Sequence, residues 1–260
     1  MANFKIVTFN IRNVWDREGK NSFIHRVGMI YDKVNKERPD VIAFQEVLQP
    51  HVTLLERIFP DYEFHGQFRN KDFSGEGVYT AVKRSAWQVI ASEAFWISPT
   101  PYVPGTIFEC QSEYPRVCGV VQIRNKENGK MFRIFNIHLD HISDEARIAG
   151  IRCVIEMMDK FNEKANVPSI ILGDFNAEPN SDTIKYCNEY DGTHICDLTS
   201  TLPVTFHNWG TDEQKIDYIY VTGGIEKALT NVGIWDQCHD GIYFSDHYPV
   251  FADLDMDKMD

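Results

Sequence analysis

Residues 171–179, ILGDFNAEP, run three aliphatic side chains into Gly173 and then set Asp174 and Asn176 two positions apart. In an extended chain, positions i and i+2 share a face, so this carboxylate and carboxamide point at one spot. A carboxylate so placed can take a proton from a water molecule. The same kind of ending recurs along the chain. Segments that read as strands finish on Asn10 (FKIVTFN), on Glu46 (DVIAFQE) and on Asn136 and His138 (FRIFNIHL), while SDHYPV puts Asp246 and His247 directly before the last strand. The set is rich in hard oxygen donors and carries two histidines. It suits in-line attack on phosphorus: Asn10, Glu46 and Asp246 around Mg2+ or Mn2+, Asp174 as base beside Asn176, and His247 on the phosphoryl oxygens, oriented by a buried carboxylate such as Asp217.

Two other metal motifs come close: a calcium loop, which fails, and a binuclear zinc motif, which stays as a minor alternative. DFNAEPNSDTIK opens like a calcium loop, but Pro179 stands where the turn needs Gly and Lys185 where a bidentate Glu must close the cage. NIHLDH (136–141) misses a binuclear zinc motif by its first histidine, because Asn136 is a poor zinc ligand. The zinc reading also leaves Glu46, Asp174 and Asp246 without work.

The elements that must carry these residues are strands and helices in alternation. Strands are expected at 4–10, 40–46, 79–83, 119–124, 132–139, 169–174, 215–221 and 249–254 from short β-branched and aromatic runs. Amphipathic helices are expected over 22–38, capped by Ser22, and over 143–164, capped by Ser143. No linker or repeat divides the chain, so one α/β domain over 1–260 follows. The formal charge of -12, with no Lys/Arg cluster, speaks against a grip on long duplex nucleic acid. The six scattered cysteines read as reduced thiols. No apolar run approaches a membrane span, and MANFKIVTFN lacks the features of a secretory signal, so a cytoplasmic monomer without membrane contact is expected.

In this order, TFNIR, FQEV, FNIHL, GDFNAEP, KIDYIYV and SDHYPV resemble the endonuclease/exonuclease/phosphatase superfamily, over nearly the whole chain. The resemblance implies a four-layer sandwich of two facing mixed β-sheets flanked by helices, and Mg2+-dependent phosphoester hydrolysis. It makes Glu46 the principal metal ligand with Asn10 and Asp246 nearby, and Asp174 and Asn176 the water-activating pair. It puts His138 on the leaving-group side and Asp217 with His247 beside the phosphate. HLDHISDEAR and TFHNWG ahead of KIDYIYV are similar to bacterial relatives of nocturnin and the carbon-catabolite-repression deadenylases. A phosphodiesterase or nuclease, exonuclease-like on a nucleotide or short single strand, is therefore expected. A phosphomonoesterase on a small phosphorylated molecule is the alternative, and a lipid phosphodiesterase or a catalytically silent binding module of the same fold follow behind it. Asn136, Arg116, Arg147 and His207 are expected to contact substrate, although both arginines read equally well as ion-pair partners and His207 as a hydrogen-bonded loop residue.

Overall fold

Two six-stranded sheets lie face to face in the computed structural model, which describes residues 3–259. The strands are β1 (Asn3–Asn10), β2 (Val41–Val47), β3 (Tyr62–Phe68), β4 (Gly77–Lys83), β5 (Trp87–Trp96), β6 (Val117–Asn125) and β7 (Met131–His138). After them come β8 (Ser169–Asp174), β9 (Cys196–Asp197), β10 (Asp217–Val221), β11 (Leu229–Ile234), the small hairpin β12 (Cys238–His239) and β13 (Ile242–Tyr243), and β14 (Val250–Asp255). The helices are α1 (Phe23–Glu37), α2 (Gln49–Ile58), α3 (Asp144–Lys164) and α4 (Asp182–Glu189). One sheet has the order β11-β14-β1-β2-β4-β3 and the other β5-β6-β7-β8-β10-β9. Each is mixed: β1 runs parallel to β2 and β7 parallel to β8, with antiparallel neighbours around them.

Alternation along the strands sorts side chains into three apolar layers. Phe4, Ile6, Val41 and Ala43 of the first sheet meet Ile134, Ile170, Leu172 and Ile219 of the second between the sheets. Val7, Phe9, Ile42 and Phe44 face outward onto α1 and α2. Phe135, Ile137, Ile171 and Tyr218 face outward onto α3 and α4. The result is the expected four-layer α/β sandwich. Burial by this plan removes both faces of the central strands from water, which is the main driving term for the fold.

Some local expectations are met differently. Ser143 caps α3 by accepting a hydrogen bond from Ala146 N, but Ser22 makes no cap; its Oγ accepts from Glu18 N instead. Strands β3 and β5 and helices α2 and α4 were not expected from the sequence patterns.

Directly above the inter-sheet apolar layer lies a polar one. Gln45 donates through Nε2 to Thr8 Oγ1 (3.1 Å) and to Asn136 Oδ1 (2.8 Å), and Asn136 Nδ2 donates to the Phe44 carbonyl (3.1 Å). These bonds join the two sheets. Each partner satisfies a group that would otherwise be buried unpaired.

The strand that delivers Asp174 depends on one glycine. Gly173 has φ +148°, and a Cβ there would lie 1.9 Å from the Ile137 carbonyl oxygen of β7. Replacement by alanine must force β7 and β8 apart next to the site. Gly173→Ala is predicted to lower stability by about 3–5 kcal/mol. Urea unfolding checks this, and a loss under about 1 kcal/mol would show that the strands tolerate the side chain.

Candidate active site

The ends of β1, β2, β7, β8 and β10, with the turn before β14, open on one cleft of about 610 Å³. Glu46, His138, Asp174, Asn176, Asp246 and His247 line it. Asn10 and Asp217, 0% and 1% exposed, are braced beneath them.

Asp174 is the hub. Its Oδ2 accepts from Asn10 Nδ2 (2.9 Å) and its Oδ1 from Asn176 N (2.8 Å). His138 Nε2 stands 3.5 Å and His247 Nε2 3.7 Å from the same Oδ2. Register explains the convergence, since Asp174 is paired with His138 across β7–β8 and with Asp217 across β8–β10. The sequence puts Asp174 and Asn176 on one extended face, but the structure joins them otherwise. The strand stops at Asp174, Asn176 turns into the left-handed region (φ 49°), and its backbone N–H closes back on the carboxylate. Asn176 Nδ2 is in turn tied to the Leu139 carbonyl (3.1 Å).

Glu46 reaches the cleft by a similar device. Simple alternation after Gln45 would turn it outward, but φ at Glu46 is +58° and the β2–β4 register shifts there. A left-handed non-glycine residue costs on the order of 1 kcal/mol and tends to persist where function requires it. Glu46 Oε1 accepts from Asn10 Nδ2 (3.0 Å) and Oε2 from Asn13 N (3.0 Å). Asn10 therefore spends both amide hydrogens on the two carboxylates, Glu46 and Asp174, and its Oδ1 accepts from Arg12 N (3.0 Å). It is placed as the brace that sets their spacing.

The charges are strongly perturbed. Burial pushes the Asp174 carboxyl up to about 7, reinforced by Asp217 and resisted by His247 and Asn10. Burial alone would neutralise His247, but Asp217, at 2.9 Å from Nδ1, and Asp174 outweigh it and carry its pKa to about 10. His247 is thus an imidazolium, with Nδ1–H donated to Asp217 and Nε2 left toward the cleft. His138 is the opposite case: burial, then the charges of Arg116 and Arg69, hold it well below the usual histidine range, as a neutral ring. For Glu46, burial is overcome by the Asn10 hydrogen bond and by Arg12 and His247, so its carboxyl stays below the usual range.

Glu46 and Asp246 fit a divalent cation. Burial, and among charges Glu46, hold the Asp246 carboxyl above its ordinary range, so a cation at this end of the cleft relieves the repulsion between two buried acids. The guanidinium of Arg12, 3.5 Å from Asp246 Oδ2, and the His247 imidazolium are cations that face them from within the chain. Oxygen-only donors suit Mg2+ or Mn2+. Asp174, Asp217 and His247 also bring three ligand-type atoms within 4.8 Å of one another. Within that trio the Asp217 carboxylate stands 2.9 Å from His247 Nδ1, a hydrogen-bonded pair.

The residues expected at the substrate divide. Arg116 lines the cleft, with Nη2 3.0 Å from His141 Nδ1. Arg147 faces a neighbouring pocket of about 340 Å³ and is bonded to Asp144 and the Asp140 carbonyl (3.0 Å). His207 lies beneath Tyr248, ring centroids 4.1 Å apart, and its Nδ1 accepts from Gly210 N. Asn136 needs correction as a substrate contact: it is 0% exposed and fully used in the inter-sheet polar layer, one step below His138 on the same face of β7. Sequence reasoning missed Arg12, Asn13, Arg69 and Glu76, which line the same cleft. Arg12 and Asn13 follow Asn10 within three residues and were within reach of the motif; Arg69 and Glu76 flank the β3–β4 turn, and β3 went unread.

Among the described residues, no helix is long and apolar enough to cross a membrane. No curated protein sequence matches the chain significantly. In solved structures the fold recurs over nearly the full length. An endonuclease/exonuclease/phosphatase from Bacteroides vulgatus superposes with a TM-score of 0.88 at 25% identity, covering 98% of this chain and 99% of that one. The mannosyl-6-phosphatase Bt3783 of Bacteroides thetaiotaomicron gives 0.84 at 23% identity, covering 96% and 98%. The human nocturnin catalytic domain with bound sulfate gives 0.75 at 20%, covering 97% and 93%; at these two identities the likeness is one of fold. Residues 7–247 match the Endonuclease/Exonuclease/phosphatase family, and to that family of divalent-metal-dependent, phosphoester-hydrolysing enzymes the chain belongs.

Proposed function

We propose that this phosphoester hydrolase uses Mg2+ or Mn2+ at Glu46 and Asp246 to cleave a compact substrate, a nucleotide or another small phosphorylated molecule, by in-line attack of water. The observation that carries the reading is the pairing of a buried carboxylate titrating near 7, Asp174, with a buried imidazolium, His247, across one cleft. Two groups whose surroundings drive them to such different tasks are the usual mark of a base and an electrostatic stabiliser.

Asp174 takes the proton of the attacking water, held in position by Asn10 from the first sheet and by the Asn176 backbone. His247 presents Nε2–H to the phosphoryl oxygens, and Asp217 keeps the ring charged and aimed. Neutral His138 borders the cleft beside Asp174, where it can donate a hydrogen bond to the leaving oxygen. A bound divalent cation supplies charge neutralisation on the phosphoryl group. Compact substrates are favoured over long nucleic acid because the chain is acidic overall, at -12, and its cleft cations are few and local. The diester-cleaving form of the reading rests on the loops HLDHISDEAR and TFHNWG, and a panel of mono- and diesters with Mg2+ and Mn2+ separates the two forms.

Activity on any substrate from that panel should vanish in excess chelator and return on adding Mg2+ or Mn2+; full turnover in chelator would remove the metal from Glu46 and Asp246. Asp174→Asn should lower kcat by roughly 10²–10⁴-fold with little change in KM, since a base acts in the transition state. A kcat within a few-fold of wild type would reduce Asp174 to a turn residue. Asp217→Asn and His247→Asn should each cost much of kcat, and the double variant little more than the worse single one. Strictly additive losses in that cycle would mean that the two side chains work separately.

A further inference from the structure

Helix α1 buries one stripe of side chains, Phe23, Arg26, Ile30 and Val34, and only the second of them is charged. Arg26 is 0% exposed and does not line the cleft. Its fork is spent on backbone oxygens. Nε donates to the Asn21 carbonyl (2.6 Å), Nη1 to the Phe244 carbonyl and Nη2 to the Arg12 carbonyl (3.4 Å). Burial lowers the guanidinium to about 10, against the support of Asp246 and Glu18, so it is charged at neutral pH. Taking a cation out of water into an apolar stripe is expensive, and an apolar side chain there would pack at lower cost. The core under α1 therefore gives no reason for an arginine. The segments that it binds do.

Two of the three carbonyls belong to loops that carry the metal end of the cleft. Phe244 stands two residues before Asp246, and Arg12 two residues after Asn10. Between these loops the Arg12 guanidinium faces the Asp246 carboxylate at 3.5 Å, and Asn10 holds Glu46 at 3.0 Å. A third segment reaches Arg26 through Trp209, whose ring centre lies 5.5 Å from the guanidinium carbon. That tryptophan has a left-handed backbone, φ +60°, beside Asn208 at +41°. Bulky residues avoid this region, and a ring laid on a buried cation offsets part of the cost. The same turn is fastened to the metal end, since His207 N and Asn208 N both donate to the Asp246 carbonyl (2.9 and 3.1 Å). One buried guanidinium thus ties α1 to three backbone segments that meet around Asp246.

We propose that Arg26 is a positioning residue for the metal: by binding the Arg12 and Phe244 carbonyls it fixes where the Asp246 carboxylate stands relative to Glu46, and thereby the affinity of the cleft for a divalent cation. The proposal rests on the placement of Mg2+ or Mn2+ at Glu46 and Asp246 and names what in the chain holds that placement. Arg26 touches neither the cation nor the substrate in this scheme. Lysine is no substitute, because one ammonium lacks the planar fork that reaches carbonyls on two loops at once.

The test is Mn2+ binding to the full chain, followed by calorimetry without substrate. Arg26→Lys and Arg26→Met should each weaken it by about 10-fold or more, and Trp209→Ala, at a half-buried position, by a smaller factor. Val34→Ala is the control for lost packing alone. It opens the same buried stripe about 12 Å along the helix, so it should melt earlier and bind Mn2+ as wild type does. Wild-type affinity in the Arg26 and Trp209 variants overturns the proposal, and so does an equal weakening by Val34→Ala. On an ester that the panel shows to be cleaved, raising Mn2+ should restore most of the kcat of Arg26→Lys at unchanged KM. A deficit that persists at saturating metal also overturns it. Glu46→Gln separates this inference from the reading beneath it. If wild type takes up no Mn2+, or Glu46→Gln takes it up unchanged, the placement of the metal falls and the role of Arg26 with it. If Glu46→Gln abolishes binding while the Arg26 variants bind normally, only the role of Arg26 falls. Thermal melting identifies any variant that does not fold, and Trp209→Ala then carries the comparison.

Discussion

A carboxylate that is 1% exposed and belongs to one sheet is held by a carboxamide from the other, and the cleft depends on that bond. Asn10 at the end of β1 donates to Asp174 at the end of β8, 164 positions away in sequence, and its second amide hydrogen goes to Glu46 at the end of β2. One side chain thereby sets the distance between the proposed base and the proposed metal ligand. Burying an ionised carboxylate costs on the order of several kcal/mol unless hydrogen bonds and opposite charge offset it. Asp174 has the bonds from Asn10 and Asn176 and the charge of His247, yet its pKa still rises to about 7. That residual tension suits the proposed role of Asp174 as a proton acceptor near neutrality.

The same arrangement can be followed inward along each strand. On the faces that look between the sheets, β1 runs Ile6, Thr8, Asn10; β2 runs Val41, Ala43, Gln45; β7 runs Ile134, Asn136, His138; β8 runs Ile170, Leu172, Asp174. Apolar side chains come first, then a hydrogen-bonded layer, then the reactive groups. The middle layer of Thr8, Gln45 and Asn136 separates a core that excludes water from a cleft that needs it. It also ties the sheets together with directional bonds just below the site, where nonspecific apolar packing would leave them free to slide.

This stratification marks what a sequence can reveal. Alternation states which way a side chain points, so the facing sets at the ends of β1, β7 and β8 were legible. Depth along the strand is a different quantity, and it is why Asn136 reads like a site residue and proves to be a latch between sheets. Backbone inversion is also silent: nothing in FQEV shows that Glu46 adopts φ +58° and turns to the side opposite its alternation. The edge strands β3 and β5 escaped for a further reason. Their residues are largely half-buried or exposed, YEFHGQF and WQVIASEAFW, so no clean two-residue period develops. With β3 hidden, Arg69, which follows its last residue and lines the cleft, was hidden too.

Charge distribution completes the argument for a compact substrate. The chain carries -12 overall, and a polyanion approaching its surface meets repulsion before it meets the cleft. Within the cleft four cations, Arg12, Arg69, Arg116 and protonated His247, stand among the carboxylates Glu46, Glu76, Asp174, Asp212 and Asp246. Low-dielectric walls make those few cations count for more than the many dispersed acids outside. A short, highly charged anion can place all of its charge among them, whereas a long chain must lay most of its phosphates against acidic surface. The proposed selection for a compact substrate then needs no dedicated gate; it rests on gathering these cations in one cleft of an acidic protein.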